Sequence, residues 1–295
     1  MRFLWLLESI RTPALDKAMQ LITYLGQDIL VILIICTFYW CINKQLAYLI
    51  GINYFVAGLV VQALKVTLRI PRPWLLDPEF KAVNSALSGA TGYSFPSGHT
   101  QGATSLYATM ALKTNKISLR IILPFLFLLV GFSRMYLGVH TPKDVLTAIG
   151  LSLVVAFFIF KYEDSILDKK NTKTVSSILF FSSIIVLIYT LILRSIGNVD
   201  LENSLDAVKA AGAGIGFSIG FYLERTHLDF SVKCLKNWHQ PVKLIVGLGA
   251  ALLIKEGIAI IAGENVIVSM FEYFILVLWI IFLYPLIFSK FEKSS

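Results

Sequence analysis

The sequence predicts an all-α fold: a polytopic membrane helix bundle of about nine transmembrane helices, preceded by an N-terminal amphipathic helix. Three observations predict it. Of the 295 residues, 57% are hydrophobic and only 15% are charged, giving a mean hydropathy of +0.75 that soluble domains rarely reach. Apolar runs recur along the whole chain at the length needed to cross a hydrocarbon core of ~30 Å. The residues behind the net charge of +8 cluster in short connections between those runs. That is the topology pattern of a membrane protein rather than the basic face of a nucleic-acid binder. The expected partners are therefore membrane lipids, with no nucleic acid.

Taken in order, residues 1–19 read as an interfacial segment in which Arg2, Arg11 and Lys17 form the polar side. Thr12-Pro13 marks a helix start within it. The runs 21–42, 46–66, 98–113, 119–136, 143–161, 175–196, 205–223, 242–262 and 268–289 then read as spans. The third is the shortest and most polar, with Ser97, Thr100, Gln101, Thr104 and Ser105. Neighbouring helices should shield it. The stretch 74–95 before it is the longest outer loop, either a lid over a site or an interfacial loop. In the seventh span Gly212, Gly216 and Gly220 recur at a spacing of four, the stripe of close helix packing. In the eighth, Lys255-Glu256 sits where a charge costs about 2.5–3.5 kcal/mol and so needs a partner. Lys209 and Arg194 lie at a compatible depth for Glu256. Cys36, Cys41 and Cys234 show neither a disulfide framework nor a zinc spacing.

Orientation follows from the connections. One alternating set holds Lys44, then Lys113, Lys116 and Arg120, then Lys161, Lys169, Lys170 and Lys173, then Arg225, Lys233, Lys236 and Lys243, then Lys290 and Lys293. The connections 197–204 and 263–267 hold only Asp200, Glu202 and Glu264. The first set is cytoplasmic by the positive-inside rule, which puts 65–97 and 134–144 outside. The basic residues there break the rule and need another reason to be present.

Chemistry supplies that reason. Lys65-x6-Arg72-Pro73 closes the second span. Pro96-Ser97-Gly98-His99 opens the third, where Ser97 is a candidate cap and free N–H groups favour an anion. Ser133-Arg134-x5-His140-x3-Asp144 lies at the seam of two apolar runs, with Thr141-Pro142 starting a helix. Asp144 is close enough in sequence to fix the His140 tautomer and leave its other nitrogen free as base or nucleophile. Lys65 or Arg72 alone reads more simply as a snorkelling interface residue, and Arg134 alone as an interfacial anchor. Together, three cations, a helix N-terminus, two histidines and one carboxylate are what displacement at a phosphate requires. No Asp-x-Asp pair or His/Glu cluster offers a magnesium or zinc site, so no metal and no cofactor is expected.

These three motifs resemble the tripartite signature of the type 2 phosphatidic acid phosphatase superfamily, and every part matches. The resemblance covers roughly residues 10–165. It implies a metal-independent, membrane-embedded phosphatase acting on lipid phosphates. His140 is then the nucleophile that forms a phosphohistidine, Asp144 orients it, and His99 protonates the leaving group. Lys65, Arg72, Ser97, Gly98 and Arg134 bind the phosphoryl oxygens. The family's soluble vanadium haloperoxidases share the pocket, but the spans here argue against that branch.

The expected organisation is a phosphatase core at 1–170 and an additional four-span region at 171–295 of unassigned role. The expected reaction is hydrolysis of a lipid phosphate or diphosphate at the outer face of a bacterial cytoplasmic membrane. By family analogy the substrates rank as polyprenyl diphosphate, phosphatidylglycerophosphate and phosphatidate. The motifs equally fit a phosphotransferase that passes the phosphoryl group to a lipid or sugar hydroxyl. The C-terminal spans equally fit a lipid-translocating module with the phosphatase as its accessory. The sequence does not specify an oligomeric state.

Overall fold

The computed structural model describes residues 1–232, 239–262 and 265–294. Lys233, Cys234, Lys236 and Glu264 lie outside the described residues. Every described element is helical. Among the described residues, six helical segments are long and apolar enough to cross a membrane: Lys44–Leu76, Ile117–Tyr136, Pro142–Lys161, Lys169–Ser195, His239–Ile261 and Val266–Lys290. A seventh follows if Pro13–Gly26 and Asp28–Ile42, bent by 45°, form one span. The chain is thus an integral membrane protein, and two of the nine expected spans fall short of that test. The third run forms a helix of only 16 residues. The seventh is helical throughout, but glycines, Asp206 and Lys209 dilute its apolar character.

The chain divides into two compact units, one of residues 1–32 and 52–161 and the other of 33–51 and 162–295. The first begins with α1 (Arg2–Ser9) and α2 (Pro13–Thr23). The interfacial segment expected at 1–19 is therefore two helices, parted at Arg11-Thr12. Thr12 Oγ1 accepts from Leu15 N at 3.3 Å and Pro13 takes the first helical position, so the cap read from sequence is in place. A 3₁₀ turn, Tyr24–Gly26, separates α2 from α3 (Asp28–Thr37), which runs on through a π turn, Phe38–Ile42. Gly26 is needed there: a Cβ would lie 2.6 Å from both His99 O and Val130 Cγ1.

α4 (Lys44–Leu68) ends where Arg69 turns the chain at φ 50°, and Pro71 and Pro73 forbid its continuation. The outer loop holds two short helices, α5 (Pro73–Leu76) and α6 (Asn84–Leu87). Then follow α7 (Gly98–Lys113), α8 (Ile117–Tyr136) and α9 (Pro142–Lys161). One face of α7 is a buried polar ladder. Gln101 Nε2 reaches Ser105 Oγ at 3.1 Å, Ser105 Oγ reaches Asn53 Oδ1 at 3.3 Å, and Asn53 Nδ2 reaches Thr109 Oγ1 at 2.9 Å. The shielding expected for this helix is realised, because its polar atoms pair inside the protein rather than facing lipid.

The second unit comprises α10 (Glu163–Leu167), α11 (Thr172–Ser195), α12 (Leu201–Leu223), α13 (His239–Ala262), α14 (Val266–Leu278) and α15 (Tyr284–Ser294). α12 packs on α14 through its glycine stripe. A Cβ on Gly212 would collide with the Met270 carbonyl, and one on Gly216 with that of Phe274. A π turn, Glu224–Leu228, ends α12. There the fully buried Glu224 accepts from Lys44 Nζ at 2.8 Å, from Phe230 N at 3.0 Å and from Tyr48. Tyr39 and Trp40 donate to the carbonyls of Ile281 and Ile280 at 2.7 and 3.0 Å. One expectation fails: Glu256 meets neither Lys209 nor Arg194. It lies 3.8 Å from Lys255, while Lys209 sits over the Tyr273 ring.

Candidate active site

The site lies within the first unit and starts from Arg72. Held between the two prolines, this buried guanidinium donates from Nε to Gly92 O at 3.0 Å and from Nη2 to Thr91 O at 2.5 Å. Nη1 reaches Val139 O at 3.1 Å and His140 Nε2 at 2.9 Å. A guanidinium only donates, so His140 Nε2 is an acceptor and carries no proton. The imidazole proton therefore sits on Nδ1, facing Asp144 Oδ2 at 3.4 Å. That contact is long, as such bonds often are without a ligand. Burial, and then the Arg72 cation, push the His140 pKa well below its usual value, against the pull of Asp144. His140 is thus a neutral imidazole with its lone pair aimed at a cation.

Asp144 is held from several sides. It sits in the first turn of α9, where Thr141 and Asp144 form a reciprocal cap. Thr141 N donates to Asp144 Oδ2 at 2.8 Å and Asp144 N to Thr141 Oγ1 at 3.4 Å. Ser94 Oγ donates to the same Oδ2 at 2.6 Å. Ser97 N donates to the Asp144 carbonyl at 3.2 Å, which ties the start of α7 to that of α9.

At the start of α7, Ser97 does not cap with its side chain; its hydroxyl accepts from Thr100 Oγ1 at 2.9 Å. A Cβ on Gly98 would meet nothing, so the backbone opens there onto free space. Half-buried His99 follows in the first turn. Arg134, fully buried near the end of α8, donates from Nη1 to Thr23 Oγ1 at 3.0 Å and from Nη2 to Gly89 O at 3.5 Å. Its Nε is buried with no acceptor among the described residues, a donor left for a ligand. Lys65 is buried in the last turn of α4. Lys65, Arg72 and Arg134 are all close enough to His99 for their charges to bear on it.

All eight residues singled out from the sequence are therefore in one neighbourhood. The structure adds Ser94 and Thr23, which hold Asp144 and Arg134 from 50 and 111 residues away. It also shows what the 74–95 loop does: its carbonyls at Gly89, Thr91 and Gly92 sit on the site arginines. A Cβ on Gly89 would lie 4.0 Å from His99 Nε2, so this loop covers the site. Among the described residues no three His, Cys, Asp or Glu side chains gather as a metal site needs. The assembly can hold a tetrahedral oxyanion and present an unprotonated nitrogen to it.

Comparison with known proteins agrees with the geometry. Residues 45–167 match the PAP2 superfamily, and residues 208–295 match the PAP2 superfamily phosphatase, transmembrane extension. The chain is similar to undecaprenyl-diphosphatase BcrC of Bacillus subtilis (strain 168), with 33% identity over 110 residues, 37% of this chain and 54% of that protein. It is similar to phosphatidylglycerophosphatase B of the same organism, with 29% identity over 171 residues, 53% of this chain and 79% of that protein. A probable sphingosine-1-phosphate phosphatase of Dictyostelium discoideum is 30% identical over 159 residues, 48% of this chain and 37% of that protein. The match thus spans about half the length of the first of these relatives. No solved structure matches the chain.

Proposed function

The chain belongs to the PAP2 superfamily, and on that premise we propose that it is a membrane-embedded phosphatase that hydrolyses a lipid phosphate or diphosphate through a phosphohistidine. One observation carries the reading: the unprotonated Nε2 of His140 lies 2.9 Å from Nη1 of Arg72. A phosphoryl group bound to that guanidinium meets the nucleophile directly. Nε2 attacks phosphorus and the bond to the leaving oxygen breaks, while His99 gives that oxygen a proton. Arg72, Arg134, Lys65 and the N–H groups at Ser97-Gly98 bind the equatorial oxygens. Asp144 stabilises the charge left on the ring. Water then attacks the phosphohistidine, His99 takes its proton, and the P–N bond breaks to release inorganic phosphate.

The names of the two Bacillus relatives favour undecaprenyl-type polyprenyl diphosphate first and phosphatidylglycerophosphate second, with phosphatidate third. The three cations stand where other phosphatases use a metal, so turnover should persist in EDTA. Vanadate, which mimics five-coordinate phosphorus, should inhibit. Phosphate release from a panel of these lipids tests the reading. His140→Ala is expected to abolish release and Asp144→Asn to reduce it severely. Near-normal release by folded His140→Ala, or a chelated enzyme revived only by magnesium or zinc, contradicts it.

We infer from the charge asymmetry of the connections that the chemistry lies at the outer face of a bacterial cytoplasmic membrane. In a protein without its native cysteines, one introduced at Ser88 should react with an impermeant thiol reagent on intact cells, and one at Asn171 should not. The opposite pattern moves the chemistry to the cytoplasmic side.

A further inference from the structure

Helix α13 is unlike the other spans. Only 11% of its most apolar stretch is buried, against 28–56% in the other five. Exposure of apolar side chains to lipid is ordinary. Exposure of charge is not, and Lys255 and Glu256 are 45% and 67% exposed, 3.8 Å from each other and with no other ion-pair partner among the described residues. They lie seven and six residues before Ala262, about 10 Å inside that end at 1.5 Å per residue. A charge at such depth belongs against protein or water rather than hydrocarbon.

The residues around the pair are patterned. Val242, Gly249 and Glu256 recur every seven residues, and Ile245, Leu252 and Ala259 interleave with them at spacings of three and four. Val242, Ile245, Leu252 and Glu256 are all exposed, and a Cβ on Gly249 would meet nothing. This is the a/d seam of a left-handed helix pair, with a glycine that lets a second backbone approach.

We propose that this face of α13 is the contact between two copies of the chain. The charges select that occupant. Two copies share one orientation in the membrane, so a two-fold axis runs along the membrane normal and equal depths meet. In such a parallel pair an a-position residue, as Glu256 is here, packs into a hole of four residues on the facing helix, among them the residue just before its own counterpart. Glu256 of one copy therefore meets Lys255 of the other, and the reciprocal contact forms across the axis. Adjacent opposite charges at one depth are self-complementary in this geometry.

The test uses the full-length protein in phospholipid vesicles, with donor- and acceptor-labelled copies and energy transfer followed as protein is diluted into lipid. Wild type is expected to keep its transfer well beyond the density at which random mixing would lose it. Lys255→Glu and Glu256→Lys should each weaken association about tenfold, and the double exchange should restore it to within about threefold. Gly249→Leu, which fills the seam without touching a charge, should also weaken it about tenfold. Transfer from wild type that falls to the random-mixing level overturns the proposal and assigns the pair to snorkelling toward headgroups. A double exchange as weak as the single reversals overturns the reciprocal contact.

Discussion

His140 is set by neighbours that work on different atoms. Arg72 strips the proton from Nε2, and Asp144 receives the one on Nδ1. The lowered pKa then fixes the acid limit of activity. A nucleophilic imidazole must be neutral, so kcat/KM should hold as pH falls past the usual histidine value of ~6.5. It should drop only below that, as His140 protonates. An acid limb at or above that value would contradict the assignment. Ser94 belongs to the same argument. Its 2.6 Å bond to Oδ2 is a neutral donor to a charged acceptor, worth about 1.5–3 kcal/mol. Ser94→Ala should lower kcat about tenfold to a hundredfold with little change in KM. If the variant moves KM alone, Ser94 touches substrate instead of holding Asp144. Neither Ser94 nor Thr23 was legible in the sequence, because each acts across a long chain separation at no recurring spacing. His140 and Asp144 were legible because one helix start holds both.

Among the elements, the ones read correctly are those whose cause is local. The Thr12-Pro13 and Thr141-Pro142 starts, the stop at Pro71 and the glycine stripe of α12 all depend on neighbours a few residues away. The break at Tyr24–Gly26 depends on α7 and α8 pressing against Gly26, which composition does not reveal. Ser97 was misread as a side-chain cap for a similar reason: Thr100 takes its hydroxyl. The α12 stripe makes a prediction of its own. Gly212→Ala or Gly216→Ala puts a methyl group against a carbonyl of α14 that cannot retreat without moving that helix. Overpacking of this kind costs about 1–3 kcal/mol. The check is a lower melting temperature in detergent for either variant, with Gly150→Ala, which meets open space on α9, unchanged.

At the scale of the whole chain, composition announced an all-helical membrane protein, and what it could not announce is the order in which the helices share their packing. The expected boundary at 170 follows the sequence; the compact units do not. Residues 33–51 belong with 162–295. There Tyr39 and Trp40 bond to the carbonyls of Ile281 and Ile280, and Lys44 and Tyr48 to Glu224. A stop codon after residue 170 therefore does not shed an appendage. It strands a segment inside the retained fragment, with three aromatics and a lysine deprived of acceptors and with no counter-charge. Residues 1–170 expressed alone should be degraded or inactive, whereas 1–170 and 171–295 produced as separate chains in one cell should reassociate and recover phosphate release. Full activity from 1–170 alone would show that the two units part cleanly. Otherwise the extension is woven into the fold: a lineage could not have acquired or lost it by a single join at its edge without also refitting residues 33–51.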